Sequence, residues 1–160
     1  MLKPATRRVA GFSFFIYSTS MNIRVKKLHP DAIIPNIAHE GDAGFDLFST
    51  ETVVLNPGER GHVHTGLAFE IPTGFVGLVW DKSGVSYNGG LKTLGGVIDS
   101  GYRGEIIISF VNLSKEPYVF EKGHKAAQML IQKIESPTFE EVVELSDTSR
   151  GEGRFGSTGK

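Results

Sequence analysis

The sequence predicts an all-β protein built as a barrel or a jelly roll. Short apolar and β-branched segments recur about every ten residues, with glycine or proline between them. The chain contains 20 glycines in 160 residues, more than the average share, and they are spread over its length. This distribution indicates many turns within one domain rather than a single flexible linker.

Three strands are predicted in the first part of this domain. Residues 23–28 form a short edge-like strand that ends at a His-Pro pair. Residues 52–55 are β-branched and apolar, and the Asn-Pro-Gly sequence that follows is typical of a turn. Residues 62–71 alternate between apolar and polar side chains and end at a proline.

The remaining predicted strands lie further along the chain. Residues 75–80 form a near-continuous apolar run, typical of a strand that is buried on both faces. Residues 105–113 are similar, and residues 118–120 and 139–145 are two further short strands. Residues 125–134 contain good helix formers, but the neighbouring strands favour a strand here as well.

Charge and composition exclude several classes of function. The formal net charge is −1, so no overall basic field favours nucleic acid or an anionic membrane as a partner. The absence of cysteine excludes disulfides, thiolate nucleophiles and cysteine–zinc sites, and it fits a reducing, cytoplasmic location. No apolar run approaches the roughly 20 residues that a membrane-spanning helix needs.

Three segments are expected along the chain. Residues 1–20 carry three cations, no acid and a short aromatic patch, and they lack the cleavage site of a targeting peptide. We interpret them as a disordered extension, or as an upstream start ahead of a natural start at Met21. Residues 21–145 form the β domain, and residues 146–160 form a flexible tail that acts as a phosphate-binding lid.

The tail is rich in groups that bind phosphate. Residues 150–160 read RGEGRFGSTGK and supply cations, hydroxyls and backbone N–H groups. The G-x-G-x-x-G spacing at Gly151, Gly153 and Gly156 follows no predicted strand and opens no helix, so it is not the dinucleotide-binding motif. The tail is therefore expected to fold over a site that is built elsewhere, on the same subunit or on another.

Two acids and three polar residues are candidates for chemistry. Asp99, in the sequence GGVIDSGYRGE, follows two apolar residues and acts either as a general base or as the cap of an Asx turn. Asp46 is either a ligand of a hydrated divalent cation or an ordinary strand-end acid. Lys82 and Ser83 suit a phosphate, although such short matches are common by chance. Gln128 lies in an apolar segment and needs hydrogen-bond partners there.

Two histidines, His62 and His64, lie two residues apart and share one face of a predicted strand. A metal pair would need a third ligand, and none is nearby in sequence, so we interpret them as a solvated face. No nucleophile elbow supports a serine–histidine–acid triad.

Five segments occur together in a fixed order, and through them residues 21–160 resemble the trimeric dUTPase family. The third and fifth segments are highly specific in combination. The segments are AGFDL at 43–47, DKSGV at 81–85, GVIDSGYRGE at 96–105, GHKAAQMLI at 123–131 and RGEGRFGSTG at 150–159.

The resemblance implies a fold, an assembly and a reaction. The fold is a jelly-roll-like, distorted β barrel of the dUTPase type, assembled as a homotrimer with active sites at the subunit interfaces. The reaction is hydrolysis of dUTP to dUMP and pyrophosphate with Mg²⁺, which limits uracil in DNA and supplies dUMP for dTMP synthesis. Asp99 matches the aspartate that activates the water attacking the α-phosphate, and Asp46 matches the acid linked to magnesium through water.

The resemblance also implies the substrate contacts. Tyr102 matches the tyrosine that packs under the deoxyribose and excludes a 2′-hydroxyl, and the backbone around residues 95–98 would read the uracil edge. Phe155 would stack on uracil, and the residues after it would bind the β and γ phosphates. The implied substrate-binding residues are Lys82, Ser83, Gly84, Gly96, Val97, Ile98, Tyr102, Gln128, Arg150, Phe155, Gly156, Ser157 and Thr158.

Three positions depart from the family pattern. Lys82 stands where arginine is usual, and it keeps the charge without the bidentate fork. Thr93 stands where some members place a uracil-contacting asparagine, so the backbone must carry more of the recognition. Arg154 replaces a usual glycine, and it either adds a phosphate contact or restricts the loop.

Two other functions stay open at this point. The dCTP deaminases are a sister family with the same fold, but their catalytic glutamate corresponds here to Ser109, which argues against deamination. The second alternative is a nucleotide-binding protein without turnover, because the second segment is altered. Asp99, Tyr102 and the tail are intact and argue against it.

Overall fold

Residues 21–154 are described by the computed structural model, together with the backbone of residues 6–9 and 12–15. Within these ranges the regular structure is β-strand, apart from one π-helical turn at Gly84–Asn88. This confirms the all-β class that the sequence predicts. No helix in the described part of the chain is long and apolar enough to cross a membrane.

The described part of the chain contains thirteen strands, and all of their pairings are antiparallel. They are β1 (Thr6–Val9), β2 (Phe12–Phe15), β3 (Arg24–Lys27), β4 (Gly44–Phe48), β5 (Val53–Leu55), β6 (Arg60–His64), β7 (Leu67–Glu70), β8 (Phe75–Asp81), β9 (Leu91–Leu94), β10 (Val97–Ile98), β11 (Ile107–Asn112), β12 (Tyr118–Phe120) and β13 (Lys125–Lys133).

The largest sheet has four strands in the order β10-β8-β13-β4. A second sheet has the order β6-β11-β9, and the remaining strands pair as β12-β5, β3-β7 and β1-β2. In the largest sheet Gln128 of β13 lies opposite Asp46 of β4 on one side and Trp80 of β8 on the other. This register brings polar residues from three different segments of the sequence to one place.

The core forms where strand alternation turns every second side chain inward. In β11, Ile108, Phe110 and Asn112 are buried, and the residues between them are partly or fully exposed. The rings of Phe110 and Phe120 pack with their centroids 4.9 Å apart. Met129 of β13 is also fully buried, so the two larger sheets contribute to one core.

The predicted strand 62–71 is wrong in its extent, because the structure divides it into β6 and β7. Gly66 has a φ of 64°, in the left-handed region that β-strands do not adopt. A Cβ at this position would lie 2.7 Å from the Cβ of His29. The Thr65 hydroxyl donates to the carbonyl oxygen of Ile106 at 2.7 Å and fixes the turn.

Residues 139–145 form no strand in the structure, contrary to the sequence prediction. Phe139, Val143 and Leu145 are 93%, 101% and 87% exposed. No described strand lies beside this segment. An apolar, β-branched segment needs a neighbouring strand edge to form a ladder, and the segment has none within the described chain.

The strand predicted at residues 125–134 is confirmed as β13, one of the two inner strands of the largest sheet, although the segment contains good helix formers. Hydrogen-bonded pairing on both sides outweighs the intrinsic helix propensity. Its neighbour β8 is also a strand as predicted, but Trp80 is 53% exposed, so this end of β8 is not buried on both faces. The strands predicted from the sequence do not include β4, β9 or β10. The strand β4 contains a glycine and an acid, β9 contains two polar residues, and β10 is only two residues long.

The first twenty residues contain a strand pair, β1 with β2. Thr6 lies opposite Phe15 and Val9 lies opposite Phe12. The two strands read TRRV and FSFF, and β-branched and aromatic residues favour strand pairing. The assignment of residues 1–20 as an extension outside the β domain stays a prediction.

Asn112, at the end of β11, holds three segments together from inside the core. Its side chain is fully buried, and its amide nitrogen donates to the carbonyl oxygens of Leu55 and Glu116, each at 2.8 Å. Its amide oxygen accepts from the N–H of Ser114 at 2.9 Å and from the Ser114 hydroxyl at 2.7 Å. A fully satisfied buried amide of this kind stabilises one arrangement of the loop before β12.

Replacing Asn112 with alanine is expected to lower the free energy of unfolding by about 2–4 kcal/mol. The Leu55 carbonyl oxygen would lose a buried donor, and the Glu116 carbonyl oxygen and the Ser114 N–H would each lose a part-buried hydrogen bond. Chemical denaturation at constant m-value measures the difference. Asn56→Ala removes an exposed amide that bonds only to nearby Glu59, and it should cost less than about 1 kcal/mol. A similarly small cost for Asn112→Ala would show that the buried network contributes little.

Candidate active site

One group of predicted site residues meets where β4, β8 and β13 lie side by side. Asp46 is on β4, Gln128 is opposite to it on β13, and Lys82 directly follows β8. They line a cleft of about 320 Å³, which we call the lysine cleft. Its lining residues are Asn36, Ala38, His39, Asp42, Ala43, Gly44, Phe45, Asp46, Lys82, Lys125 and Gln128.

Asp46 holds two ammonium groups in this cleft. The Nζ atom of Lys82 lies 2.9 Å from Oδ1, and the Nζ atom of Lys125 lies 2.8 Å from Oδ2. Burial raises the pKa of Asp46, but the hydrogen bonds from Lys125 and Lys82 outweigh it, so the pKa lies below the ordinary value of 3.8. The cleft is therefore lined by two carboxylates, Asp42 and Asp46, and by two ammonium groups, Lys82 and Lys125. Both ammonium groups are gathered around Asp46, and such a pair of cations suits a polyphosphate.

Lys125 is a site residue that sequence reasoning missed. It lies three residues before Gln128, so regular alternation would place the two side chains on opposite faces of β13. The register shifts between Lys125 and Ala127, and both Ala126 and Ala127 are fully buried. This β-bulge brings Lys125 to the same side as Gln128. The only signal in the sequence was a second cation close to Gln128.

Asp81, the last residue of β8, fixes the backbone that leads into the lysine cleft. Its Oδ1 accepts the N–H of Thr93 at 2.7 Å, and its Oδ2 pairs with Lys92. Burial raises the pKa of Asp81, but Lys92 and Thr93 outweigh it and lower the pKa below the ordinary value. Its carbonyl oxygen accepts from Nε2 of Gln128 at 2.9 Å. Both the carboxylate and the carbonyl oxygen of Asp81 are thus fixed by partners on other strands.

The two predicted phosphate contacts after Lys82 are exposed. Ser83 precedes the π-helical turn and Gly84 begins it. A small hydroxyl and a residue without a side chain are exposed at this point, and a Cβ built on Gly84 would extend into open space. Thr93 is 7% exposed and contributes its N–H to Asp81.

A second group of predicted residues lines a different cleft of about 190 Å³, which we call the tyrosine cleft. The backbone that enters it is unusual, since Gly95 and Gly96 have φ values of 73° and 109°. A Cβ at Gly96 would lie 2.6 Å from the carbonyl oxygen of Val79, so only glycine fits this close approach. The cleft is lined by Val97, Ile98, Asp99, Tyr102, Glu105 and Ile107.

Asp99 and Tyr102 are the two functional candidates of the tyrosine cleft. Asp99 is exposed, and within the described ranges its carboxylate accepts no hydrogen bond, which argues against an Asx turn. The Asp99 carbonyl oxygen accepts the N–H of Tyr102 at 3.1 Å. The Tyr102 hydroxyl donates to the carbonyl oxygen of Glu105 at 2.9 Å, and the ring lies over Gly104. The acid is therefore free to act on a ligand beside a fixed aromatic ring.

The lysine cleft and the tyrosine cleft share no lining residue. Within one chain the structure does not bring Asp99 and Tyr102 together with Asp46, Lys82 and Gln128.

The described part of the tail joins neither cleft. Arg150 is exposed and its Nε donates to the carbonyl oxygen of Gly153 at 3.3 Å. Arg154 is exposed as well. The predicted contacts Phe155, Gly156, Ser157 and Thr158 lie outside the described residues.

The histidines of β6 have local partners instead of a metal. Nδ1 of His62 lies 3.1 Å from the hydroxyl of Ser109, and Nδ1 of His64 lies 3.1 Å from the carboxylate of Glu105. The part of the chain that the structure covers contains no group of three histidine, cysteine or acidic residues that could hold a metal ion. Ser109 provides no carboxylate where a deaminase would need one.

A sequence profile of the dUTPase family matches residues 30–159, which is most of the chain. The chain belongs to the dUTPase family. A deoxyuridine 5′-triphosphate nucleotidohydrolase of Clostridium kluyveri is 48% identical over 141 residues, covering 87% of this chain and 99% of that protein. The corresponding enzyme of Clostridioides difficile is 49% identical over 140 residues, covering 86% and 98%.

Solved dUTPase structures share the fold. A mutant of the Staphylococcus bacteriophage 80alpha dUTPase with dUpNHpp has a TM-score of 0.82 and 35% identity, covering 87% of this chain and 99% of that one. A mutant dUTPase from phage phi11 of S. aureus, described with a structural Mg(II) ion, has a TM-score of 0.75 and 33% identity, covering 79% and 100%. The jelly-roll-like β fold of the dUTPase family, which the resemblance implied, is confirmed.

Asp46→Asn is expected to flatten the acid limb of the stability curve. The folded-state pKa of Asp46 is lowered, so its ionised form stabilises the fold above the ordinary pKa of 3.8. This contribution is lost as the pH falls through the lowered folded-state pKa. The free energy of unfolding should therefore fall more steeply in the native protein than in the variant when the pH drops below about 4.

Denaturant titrations at a series of pH values measure this difference in slope. Asp42→Asn is the matched control, because Asp42 lines the same cleft and makes no ion pair within the described ranges. It should keep the native slope. Equal slopes for the native protein and Asp46→Asn would show that the two lysines do not stabilise the ionised carboxylate.

Proposed function

We propose that this protein hydrolyses dUTP to dUMP and pyrophosphate. The observation that carries the proposal is the tyrosine cleft, in which an exposed and unengaged Asp99 lies beside a fixed Tyr102. Its chain is 48% identical to a named deoxyuridine 5′-triphosphate nucleotidohydrolase over nearly the whole length of that relative. In cells this reaction would limit uracil in DNA and supply dUMP for dTMP synthesis, and we place it in the cytoplasm.

Asp99 acts as the general base in this proposal. Its carboxylate takes a proton from a water molecule, and the water oxygen attacks the α-phosphorus. The bond between the α-phosphorus and the α,β-bridging oxygen breaks, and pyrophosphate leaves with that oxygen and the bonding electron pair. The absence of a hydrogen-bond partner within the described chain supports this role, because the carboxylate is available to orient water. Phosphoryl transfer needs such positioning and charge neutralisation more than covalent chemistry.

The nucleoside binds in the tyrosine cleft. The Tyr102 ring packs under the deoxyribose and leaves no room for a 2′-hydroxyl. The backbone of Gly96, Val97 and Ile98 reads the uracil edge, and the close approach of Gly96 to Val79 keeps this backbone in place. Recognition by backbone is consistent with Thr93, whose side chain is nearly buried and whose N–H is already held by Asp81.

The triphosphate binds in the lysine cleft of a neighbouring subunit. Lys82, Ser83, Gly84 and Gln128 supply its contacts, and the second ammonium group of Lys125 adds to them. Asp46 holds both lysines within 2.9 Å, so it orients them before the substrate arrives. Lys82 has no bidentate fork, and fixing its point charge in this way compensates for the missing arginine.

The tail closes the site as a lid in this proposal. Arg150 binds phosphate, Phe155 stacks on uracil, and Gly156, Ser157 and Thr158 bind the β and γ phosphates. Closure excludes water and completes the site only when the substrate is bound.

Mg²⁺ fits the residues of the lysine cleft as an ion carried by the triphosphate. This ion keeps most of its water ligands and uses one or two carboxylates together with substrate phosphates. Asp46 supplies one such carboxylate, and the described residues offer no cage of three acids that would bind the ion alone. Asp46 would contact the ion through water, and the ion would neutralise charge on the phosphates.

The proposed assembly is a homotrimer, and the separation of the two clefts supports it. A homotrimer with three sites at its interfaces would bring the tyrosine cleft of one subunit to the lysine cleft of the next. The absence of a shared lining residue supports this arrangement.

The direct test compares pyrophosphate release from dUTP, dCTP, dTTP and UTP with and without Mg²⁺. Turnover of dUTP alone, accelerated by Mg²⁺, is expected.

Asp99→Asn keeps the shape of the side chain but removes its basicity. It should therefore lower kcat by about a thousandfold, while the affinity for dUpNHpp stays within a few-fold of the native value. Asp31→Asn, an exposed acid outside both clefts, is the control. Ammonia release from dCTP, or binding without turnover in the native protein, would contradict the proposal.

Mixing two inactive variants tests the interface site. Asp99→Asn damages the tyrosine cleft, and the double variant Lys82→Ala with Gln128→Ala damages the lysine cleft. Each mixed trimer would have one site, of its three, that combines two intact clefts. About three quarters of the trimers in a random one-to-one mixture are mixed, so co-refolded samples should regain about a quarter of native activity. No recovery in samples that contain verified mixed trimers would mean that one chain supplies both clefts.

A further inference from the structure

Among the described residues, the loop that carries Asp99 and Tyr102 has one side chain that hydrogen-bonds to another part of the chain. We call residues 99–105 the catalytic loop. Within the described ranges the guanidinium of Arg103 donates only inside this loop, to the carbonyl oxygens of Ser100 at 2.7 Å and Tyr102 at 2.8 Å. Among the described residues, Glu105 is the member of the loop whose side chain bonds to another part of the chain.

The Glu105 carboxylate spans from the catalytic loop to the turn between β6 and β7. Its Oε1 accepts the N–H of Gly66 at 2.7 Å, and its Oε2 lies 3.1 Å from Nδ1 of His64. The side chain of Glu105 is 25% exposed, and that of His64 is 43% exposed. Each carboxylate oxygen thus has a separate partner on the same turn.

The turn that receives Glu105 is itself fixed. The Gly66 carbonyl oxygen accepts the N–H of Leu28 at 2.7 Å, and the Leu67 carbonyl oxygen accepts the N–H of Ile106 at 2.8 Å. The Thr65 hydroxyl donates to the carbonyl oxygen of Ile106, which is 1% exposed. Glu105 therefore anchors a surface loop to a turn that is bonded into the core.

Residue 105 also determines where the tyrosine ring lies. The Tyr102 hydroxyl donates to the carbonyl oxygen of Glu105 at 2.9 Å. The ring folds back closely over Gly104, where a Cβ would lie 2.4 Å from the hydroxyl oxygen. Because the hydroxyl bonds to the backbone of the residue whose side chain is anchored, a shift of Glu105 would move the ring.

We propose that Glu105 is a positioning residue that sets the discrimination between deoxyribose and ribose. It holds its own backbone against the turn of Gly66, and this backbone fixes the Tyr102 ring in the position that excludes a 2′-hydroxyl. The inference rests on the proposed hydrolysis of dUTP, in which that ring packs under the sugar. Glu105 itself touches no reacting atom in this scheme.

Three substitutions separate the parts of this interaction. Glu105→Ala removes both carboxylate contacts and should raise the ratio of UTP to dUTP kcat/KM about tenfold. Glu105→Asp keeps the charge but is one methylene shorter, and it should give a smaller increase. Glu105→Gln keeps the length and the acceptor for the Gly66 N–H, so its ratio should stay within about twofold of the native value.

Glu51→Ala is the matched control. Glu51 lines the cleft between His29 and His64 together with Glu105, but its side chain makes no hydrogen bond within the described ranges. It should leave the ratio unchanged. Thermal unfolding of every variant shows which ones fold, and if Glu105→Ala does not fold, Glu105→Asp decides by the same ratio.

A double substitution tests whether Glu105 acts through the tyrosine. Tyr102→Phe removes the hydroxyl that bonds to residue 105. In that background Glu105→Ala should change the ratio by less than about twofold, because the two substitutions interrupt one chain of contacts.

The outcome separates this inference from the proposed function. If the native protein does not hydrolyse dUTP, the proposed function fails. If it does, and the folded Glu105 variants leave the UTP to dUTP ratio unchanged or lower both kcat/KM values equally, Glu105 has only a structural role and the inference fails.

Discussion

The pairing of β13 with both β4 and β8 is the interaction on which the candidate site depends. It places Gln128 between Asp46 and Trp80 and aligns three segments that are far apart in sequence. Backbone hydrogen bonds on both sides fix this register, and a slip by one residue would turn Gln128 to the opposite face. The lysine cleft is therefore a property of the sheet rather than of any one segment.

Charge is arranged differently in the two clefts. In the lysine cleft the carboxylate of Asp46 is already bonded to two cations, so its role is to organise positive charge. In the tyrosine cleft Asp99 is exposed and has no partner among the described side chains and backbone groups. The same residue type thus serves binding in one place and is available for proton transfer in the other.

Sequence patterns predicted the features that depend on local chemistry. A near-continuous apolar run predicted β11, and the motif residues pointed to Asp46, Gln128 and Tyr102. Sequence patterns could not predict the role of Lys125, because its position depends on a bulge against β4. They could not predict the break at Gly66 either, because it depends on the close approach of His29. The error at residues 139–145 has the same origin, since a strand exists only where a partner edge is present. Non-local pairing, and not propensity, decided each of these cases.

The length of the exposed segment after β13 determines which clefts the proposed lid could reach. Residues 134–154 form no strand, and a chain of this contour length can span at most about 70 Å when extended. A domain of about a hundred residues has a radius of gyration of only about 13 Å. Reach therefore does not confine Arg150 and the residues after it to the clefts of their own subunit. In the proposed closure, binding chemistry would decide which cleft they cover, and contacts with the nucleotide would have to offset the loss of chain entropy.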